Sequence, residues 1–221
     1  MIDSLKVKDF FNLESCSFKD LFSSSKLLWD ALSHLENYIN TKALGHIESD
    51  VTEHATLVNA SKISIGKNTT IFPGAYIEGP CIIGRNVQIG HSAYIRPYSL
   101  IGDFCTVGHS SEIKHSIMLP HSKAPHFNYV GDSILGSYVN LGAGVILANY
   151  KLNGSLVTIK YEEKKISTGL SKFGAIIGDE SSLGCNSVTN PGTLLSKGFF
   201  CKPCSNLQGY YHKAQNEAKN A

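Results

Sequence analysis

The chain has 221 residues, of which 20 are Lys or Arg and 18 are Asp or Glu, so its formal net charge is +2. A charge so close to neutral argues against nucleic acid as a partner. No apolar run approaches the ~20 residues that span a bilayer, which argues against a membrane partner. The start of the chain, MIDSLKVKDFF, lacks the apolar core of a signal peptide. We therefore expect a cytoplasmic protein.

Six cysteines are scattered along the chain, and two of them, Cys201 and Cys204, form a CxxC pair. Structural zinc sites usually combine two such pairs. We therefore expect buried free thiols rather than disulfides, and no metal.

The first 45 residues predict a helical segment. In LFSSSKLLWDALSHLENYI the apolar residues recur close to the helical period: Leu27, Leu28, Ala31, Leu32, Leu35 and Ile39. The serines at 23 to 25 are candidate N-caps. We expect this segment to pack on the following domain or to cap its open end.

A period of six dominates residues 46 to 198. Aliphatic residues stand at Ile65, Ile71, Ile77, Ile83, Ile89, Ile95, Ile101, Val107, Ile113 and Leu119, and the spacing returns at Leu135, Leu141, Leu147, Ile177, Leu183 and Leu195. This period fits neither an α-helix nor a simple meander. It predicts a mainly-β parallel β-helix of hexapeptide repeats, with three sides in each coil of about 18 residues and the aliphatic side chains inside.

Two interruptions and a tail complete the predicted organisation. We expect a loop at 120–131, within HSKAPHFNYVGD, and a protruding β-hairpin insertion at 149–174, where LVTIKY alternates. Residues 199–221 are expected to form a tail that begins as loop and ends in a frayed helix.

Residues one coil apart should lie in one column, which places Arg96 above Lys114. Two cations so close repel each other. The pair is either a solvated ladder that Glu78, one coil earlier, helps to offset, or an anion site for a phosphate. Both interpretations stay open on spacing alone.

His126 is the candidate general base, because an imidazole titrates close to neutral pH. Glu112 is placed to hold the far nitrogen of its ring. The hydroxyl of Tyr129 and the amides of Asn140 and Asn149 suit the hydroxyl and amide groups of a sugar. His121 has no comparable neighbours and is expected to be a surface residue.

The stretch SKAPHFNYVGDSILGSYVNLGAGVILANY resembles the acetyltransferase domain of the bifunctional glucosamine-1-phosphate acetyltransferase and N-acetylglucosamine-1-phosphate uridyltransferase, and the archaeal-type sugar-phosphate enzymes that share this domain. The pattern SKAxHxxYxGD, then NxGAG, then Asn is met at 122–132, 140–144 and Asn149. The resemblance implies a left-handed coil, acetyl-CoA as co-substrate, and a homotrimer with its sites between subunits.

The resemblance also implies residue roles. His126 resembles the general base, Glu112 its orienting acid, and the backbone of Ala143 and Cys185 the acetyl-CoA contacts. The substrate contacts that it implies are Arg96, Lys114, Tyr129, Asn140 and Asn149. The expected activity is N-acetylation of an amino-sugar phosphate, above all glucosamine-1-phosphate, in the route to UDP-N-acetylglucosamine.

Two departures from the family pattern stand out. Ser155 stands about where the family has a lysine, so Lys151 or Lys160 is a candidate replacement, or substrate binding is altered. The family's nucleotidyltransferase domain is missing, so we do not expect this chain to make a nucleotide sugar alone. Whether a separate nucleotidyltransferase is a partner stays open.

Three rival interpretations remain. One is an acyltransferase of the same fold acting on another substrate, such as another amino sugar or a lipid A precursor. A γ-type carbonic anhydrase is suggested by His91, His109 and His115, but the expected Arg-Gly-Asp stretch and five-residue histidine spacing are missing. The third is a trimeric scaffold without activity.

Overall fold

The computed structural model describes residues 5–23, 25–161 and 163–212. Three parallel sheets of eight, eight and seven strands form the body, and a fourth sheet has two strands. Successive strands join successive sheets, so the chain winds as a three-sided parallel β-solenoid. The predicted mainly-β hexapeptide-repeat fold is confirmed. Its left hand, which rests on the resemblance, stays a prediction.

We name the three faces of the solenoid by what lies on their outer side. The tyrosine face comprises β1 (Thr56–Val58), β4 (Tyr76–Glu78), β7 (Tyr94–Ile95), β10 (Glu112–Lys114), β13 (Tyr129–Gly131), β16 (Ile146–Leu147), β21 (Val188–Thr189) and β24 (Asn206–Leu207). The covered face comprises β2 (Ile63–Ile65), β5 (Cys81–Ile83), β8 (Leu100–Ile101), β11 (Ile117–Met118), β14 (Ile134–Leu135), β19 (Ala175–Ile177), β22 (Thr193–Leu195) and β25 (Tyr210–Tyr211). The polar face comprises β3 (Thr70–Ile71), β6 (Gln88–Ile89), β9 (Thr106–His109), β12 (Lys123–His126), β15 (Asn140–Leu141), β20 (Ser182–Leu183) and β23 (Phe200–Cys201).

The core is a set of stacked columns of inward side chains, about one from each strand. On the tyrosine face, Ile77, Ile95, Ile113, Val130 and Leu147 are all fully buried. Burying each such side chain is worth about 1.5–3 kcal/mol. Because the strands are parallel and in register, each of these residues lies directly against its equivalent in the next coil.

The expected loop at 120–131 is wrong: this stretch is part of the solenoid. Its strands β12 and β13 pair with β9 and β10, and Ala124 and Val130 are buried against Val107 and Ile113. The six-residue spacing continues through this segment, but its phase differs from that of the preceding coils.

The pattern was lost because two corners are one residue short. Met118, not Leu119, pairs with Ile101, so the coil repeats after 17 residues there instead of 18. The step from Val130 to Leu135 is short in the same way. Leu119 is buried instead in the second apolar cluster, beneath the N-terminal segment.

The solenoid also continues past the predicted start of the tail. Strands β23, β24 and β25 extend all three sheets, with Cys201 and Leu207 following Leu183 and Thr189 in the inward columns. The hexad pattern did not predict this coil, because Cys201 is not aliphatic. The predicted terminal helix lies outside the described residues.

The N-terminal segment packs along one side of the solenoid. Its helices are α1 (Val7–Phe10), α2 (Asp20–Ser23) and α3 (Asp30–Asn40). Buried residues of α3 share one apolar cluster with the outward side chains of the covered face: Leu32, Leu35, Ile39, Leu100, Ile117, Ile134, Ile176 and Leu194. Trp29, rather than a serine, is the N-cap of α3. Of the two expected roles, packing is therefore the observed one.

The predicted hairpin is present but does not protrude. Its strands are β17 (Thr158–Tyr161) and β18 (Lys164–Ser167), which pair antiparallel. Val157 and Ile159 are fully buried, and the ring of Tyr161 stacks on Tyr210 with centroids 5.5 Å apart. A Cβ at Gly192 would lie 2.9 Å from Val157 Cγ1, so glycine there lets the hairpin approach the solenoid closely.

All six cysteines are free; Cys16, Cys81 and Cys105 are buried, Cys201 is half-buried, and Cys185 and Cys204 are exposed rather than buried as predicted. Burial raises the pKa of the Cys81 thiol to about 12. Within the described ranges, no helix is long and apolar enough to cross a membrane. The same part of the chain contains no group of three His, Cys, Asp or Glu side chains arranged to hold a metal ion.

Val130→Ala distinguishes a solenoid strand from a loop at 120–131. We expect it to lower the free energy of unfolding by about 2 kcal/mol, because it opens a cavity in a stacked core. Lys123→Ala, on the exposed side of the neighbouring strand, should change it by less than about 0.5 kcal/mol. Denaturant unfolding of both variants measures this, and equal small effects would contradict the assignment.

Candidate active site

Arg96 and Lys114 lie in one column, as predicted, at the edge between the tyrosine and covered faces. The backbone N–H of Arg96 donates to the Ile113 carbonyl, which brings the two coils into register. Each cation is held by a carboxylate from a neighbouring coil. Arg96 Nη1 lies 3.0 Å from Glu112 Oε1, and Lys114 Nζ lies 2.7 Å from Asp132 Oδ2. These ion pairs offset the expected repulsion, whereas Glu78 accepts a hydrogen bond from Tyr94 instead.

Asp132 organises this edge, although its place in the sequence did not predict a role for it. Its carboxylate is buried and contacts Lys114, the ring of His115 at 3.0 Å, and the side-chain amide of Asn149. Burial works to raise the pKa of Asp132, but the close contact with His115 and the hydrogen bonds from Lys114 and Asn149 prevail and hold it below its ordinary value. Asp132 therefore stays ionised and fixes Lys114 and Asn149 in place.

A cleft of about 320 Å³ opens at the same edge. Its charged lining consists of Arg96, Lys114, Lys172, Asp132 and Glu36, the last from α3. Lys172 is exposed, and no carboxylate partner is recorded for it within the described residues. The hydrogen bond from Arg96 to Glu112 raises the pKa of the guanidinium, which keeps its charge. We name this site the anion cleft, because three cations line it: Arg96 and Lys114, which carboxylates hold in place, and Lys172.

Tyr129 and Asn149 lie beside the anion cleft. Tyr129 pairs with Glu112 across neighbouring strands, and burial raises the pKa of its hydroxyl. A Cβ at Gly131 would lie 2.6 Å from Tyr129 Oη and 2.8 Å from Asn149 Nδ2. Glycine at 131 therefore leaves room for both polar groups. The structure thus brings five predicted site residues together: Arg96, Glu112, Lys114, Tyr129 and Asn149.

His126 lies at the other edge of the tyrosine face, where that face meets the polar face. Its side chain is exposed, and its strand position pairs with His109. Among the described residues, no contact is recorded between His126 and Glu112, whose carboxylate faces Arg96. The expected orienting contact is therefore not formed here.

Ala143 and Cys185 continue the column of His126 in the next two coils. The N–H of Gly144 donates to the His126 carbonyl at 3.0 Å, and the N–H of Asn186 donates to the Ala143 carbonyl at 2.8 Å. Within the described part of the chain, no acceptor is recorded for the backbone N–H of Ala143 or Cys185. This edge therefore offers unpaired donors next to a histidine, as binding of a carbonyl or amide requires.

Asn140 lies apart from the other predicted residues. It is exposed on the polar face, where its strand pairs with Lys123 and Ser182. One copy of the chain does not place its amide on the tyrosine face.

Comparison with known proteins identifies the relatives of this chain. A family model described as "GMPPB C-terminal domain" matches residues 77–167. A bifunctional sugar-1-phosphate nucleotidylyltransferase/acetyltransferase from Sulfurisphaera tokodaii is 37% identical over 161 residues, which are 73% of this chain and 39% of that protein. The predicted resemblance is confirmed. Over about three quarters of its length, this chain is similar to sugar-1-phosphate nucleotidylyltransferase/acetyltransferases.

Further matches agree with this relationship. The bifunctional protein GlmU from Methanococcus maripaludis is 37% identical over 170 residues, which are 76% of this chain and 40% of that protein. This chain thus spans about two fifths of the length of these two nucleotidylyltransferase/acetyltransferase relatives. Among solved structures, a mutant of AntD, an N-acyltransferase from Bacillus cereus, matches 83% of this chain and 93% of that chain at 16% identity with a TM-score of 0.33, a likeness too distant to carry an argument.

Neither Lys151 nor Lys160, the two candidates for the lysine expected near Ser155, lines the anion cleft. Lys151 and Lys160 line a neighbouring pocket rather than the anion cleft. Lys172, at the end of the hairpin insertion, lines the cleft instead. This position of Lys172 could not be predicted, because Lys172 reaches the cleft only after the insertion folds back.

Asp132→Asn tests the role of the buried carboxylate. The native pKa of Asp132 is lowered, so its stabilising effect is present above the unfolded value of about 3.8 and is lost as pH falls through the native value. We expect a loss of about 3 kcal/mol in the free energy of unfolding at pH 7. The difference from wild type should shrink below about pH 4.

Asp103→Asn is the matched control, because Asp103 pairs with the mostly exposed Arg85. It should cost less than about 1 kcal/mol at pH 7. Denaturant unfolding from pH 3 to 8 measures both variants. A loss in Asp132→Asn that is independent of pH would contradict the ion-pair role.

Proposed function

We propose that the chain transfers an acetyl group from acetyl-CoA to the amine of an amino-sugar phosphate. Glucosamine-1-phosphate, the acceptor expected from the resemblance, is the simplest one to assay. The observation that carries the proposal is the placement of an anion cleft and a histidine edge on opposite sides of one face. The sugar would lie over Tyr129, between them.

The dimensions of the tyrosine face bear on how a substrate lies. Gly131 is five residues after His126, which limits the distance along the face to about 17 Å. Glu112 and Tyr129 occupy the surface between the two edges. An acceptor with its phosphate toward Arg96 and Lys114 therefore points its sugar toward the histidine edge.

Different residues perform different parts of the proposed reaction. An amino sugar is largely an ammonium ion at neutral pH, and only its free amine attacks a thioester. His126 takes the proton as the amine adds to the thioester carbon, and later gives a proton to the departing thiolate. The unpaired N–H groups of Ala143 and Cys185 are suited to bind the thioester side and the charge that develops on its oxygen.

The phosphate supplies binding energy at the anion cleft. Glu112 and Asp132 already orient Arg96 and Lys114 in the free protein, so these side chains lose little entropy when the phosphate binds. Lys172 adds a cation with no recorded carboxylate partner in the described part of the chain. An acceptor without a phosphate forfeits these charge-assisted contacts.

A homotrimer completes this proposal. Asn140 lies on the polar face, so it joins the other sugar contacts only if a second copy presents it. The cytoplasmic location stays a prediction, and a separate nucleotidyltransferase stays an open possibility.

His126→Ala and Arg96→Ala should fail differently. We expect His126→Ala to lower kcat by about 10²–10⁴-fold with little change in KM, because the base acts on the chemical step. Arg96→Ala should mainly raise the KM for glucosamine-1-phosphate, by about tenfold or more, since it loses a charge-assisted contact. Coenzyme A release, followed with acetyl-CoA and a panel of amino-sugar phosphates, measures both.

His91→Ala is the matched control for His126, because it lies on the same edge two coils away. It should keep wild-type turnover. Unphosphorylated glucosamine should react poorly with wild type and lose little more in Arg96→Ala. Near-normal turnover in His126→Ala, or equal use of the unphosphorylated sugar, would refute the assigned base and anchor.

Mixed assemblies test whether copies share a site. Light scattering should give three times the mass of the chain. His126→Ala and Asn140→Ala should each lose activity alone. Unfolded and refolded together they should regain part of it, because some sites then combine an intact His126 with an intact Asn140 from another copy. A stable monomer at micromolar concentration, or no recovery in the mixture, counts against a shared site.

A further inference from the structure

A second pocket lies next to the anion cleft, and the proposed chemistry does not use it. It measures about 780 Å³, within the range of about 300–1,000 Å³ typical of small-molecule sites. The hairpin forms one wall, through Thr158 and Lys160, and the last coils form the other, through Asn190 and Gln208. We name it the lysine pocket.

Every charged side chain recorded in the lining of the lysine pocket, among the described residues, is a lysine: Lys151, Lys160 and Lys165. Lys160 and Lys165 lie directly opposite each other on β17 and β18, so both side chains extend from the same face of the hairpin. Like charges at such positions destabilise a hairpin. No carboxylate partner is recorded for either within the described residues, in contrast to Arg96 and Lys114. An anion between them removes this repulsion.

The hairpin holds these lysines on a firm base. Ile159, between Thr158 and Lys160, is fully buried, and Tyr161 stacks on Tyr210 of the last coil. A Cβ at Gly209 would lie 3.3 Å from the Lys160 carbonyl, so the last coil approaches the hairpin backbone closely. The lysines are therefore positioned by the fold, not only carried on a free loop.

The lysine pocket lies beside the anion cleft. Tyr150, in the pocket, forms an antiparallel bridge with Lys172, in the cleft. Along the column from Lys114 through Gly131 to Ala148, which also lines the pocket, two strand spacings cover about 10 Å. A ligand that fills both must carry more than one anionic group and extend beyond a single sugar phosphate.

We propose that the lysine pocket binds the phosphates of a nucleoside diphosphate attached to the amino sugar, so that the acceptor is a nucleotide-linked amino sugar. The proposal rests on the acetyl transfer proposed above and extends its acceptor. The cations meet the diphosphate, the ring of Tyr150 offers a surface for a base, and Asn190 and Gln208 offer hydrogen bonds to the nucleoside. Coenzyme A contains the same chemistry, but its proposed contacts, Ala143 and Cys185, lie at the opposite edge of the tyrosine face.

Titration calorimetry of the whole chain with uridine 5′-diphosphate tests the pocket without acetyl transfer. We expect wild type to bind, and the double variant Lys160→Gln/Lys165→Gln to bind about tenfold or more weakly. Lys164→Gln is the matched control, because its side chain extends from the other face of the same strand and does not line the pocket. It should bind within about twofold of wild type.

Kinetics with two acceptors then test the assignment to the acceptor. The double variant should lose about tenfold or more in kcat/KM for UDP-glucosamine and keep its value for glucosamine-1-phosphate. Its unfolding temperature without ligand should equal or exceed that of wild type, since a like-charge pair is removed. An intact fold then makes a loss of binding attributable to the pocket.

Each other outcome has a defined meaning. If uridine 5′-diphosphate does not bind wild type, or binds the double variant equally well, the proposal is wrong. If the double variant loses affinity for coenzyme A and not for uridine 5′-diphosphate, the pocket belongs to coenzyme A and the proposal is also wrong. If lysine-dependent binding occurs but neither acceptor is acetylated, the pocket holds a nucleoside diphosphate and the proposed acetyl transfer fails.

Discussion

The stacking of inward side chains in parallel, in-register strands controls the position of every other group in this molecule. On the tyrosine face, Ile95, Ile113 and Val130 are fully buried against one another in successive coils. Because inward and outward residues alternate along a strand, this core also fixes which side chains face solvent and which lie one strand spacing apart. The site is therefore as rigid as the core beneath it.

Like charges lie close together at two places, one in a solenoid column and one across the hairpin, and the chain treats them differently. Where Arg96 and Lys114 stack, the neighbouring coils supply Glu112 and Asp132, and the cations are neutralised and oriented within the protein. Across the hairpin, Lys160 and Lys165 have no such recorded partner among the described residues. A paired cation binds a phosphate only in competition with its carboxylate, whereas an unpaired one gains the full interaction. The two sites thus differ in how strongly they favour an anion.

The hexad period was enough to predict the solenoid, but not its phase. Two corners are each one residue short, and no residue type marks the change, because Met118 and Leu119 are both apolar. A fixed count of six therefore misread the coil around Ala124 as a loop. Column neighbours such as Arg96 and Lys114 could be predicted, since they precede the short corners. The choice of partner could not: whether Glu112 faces Arg96 or His126 depends on side-chain geometry across coils, which spacing does not contain. Lys172 was missed because it reaches the cleft only after the insertion folds back.

The distribution of covered and open faces constrains how copies of this chain can meet. The N-terminal helices and the hairpin bury Leu100, Ile134 and Ile176 on the covered face, so that face is already satisfied within one chain. The polar face, the tyrosine face and the edge between them are left open for contacts between copies. That edge contains His126, and the polar face contains Asn140. An assembly through these surfaces brings the amide of one copy toward the histidine of another. The packing that closes one side of the solenoid therefore leaves open the faces that hold the residues that the proposed chemistry requires.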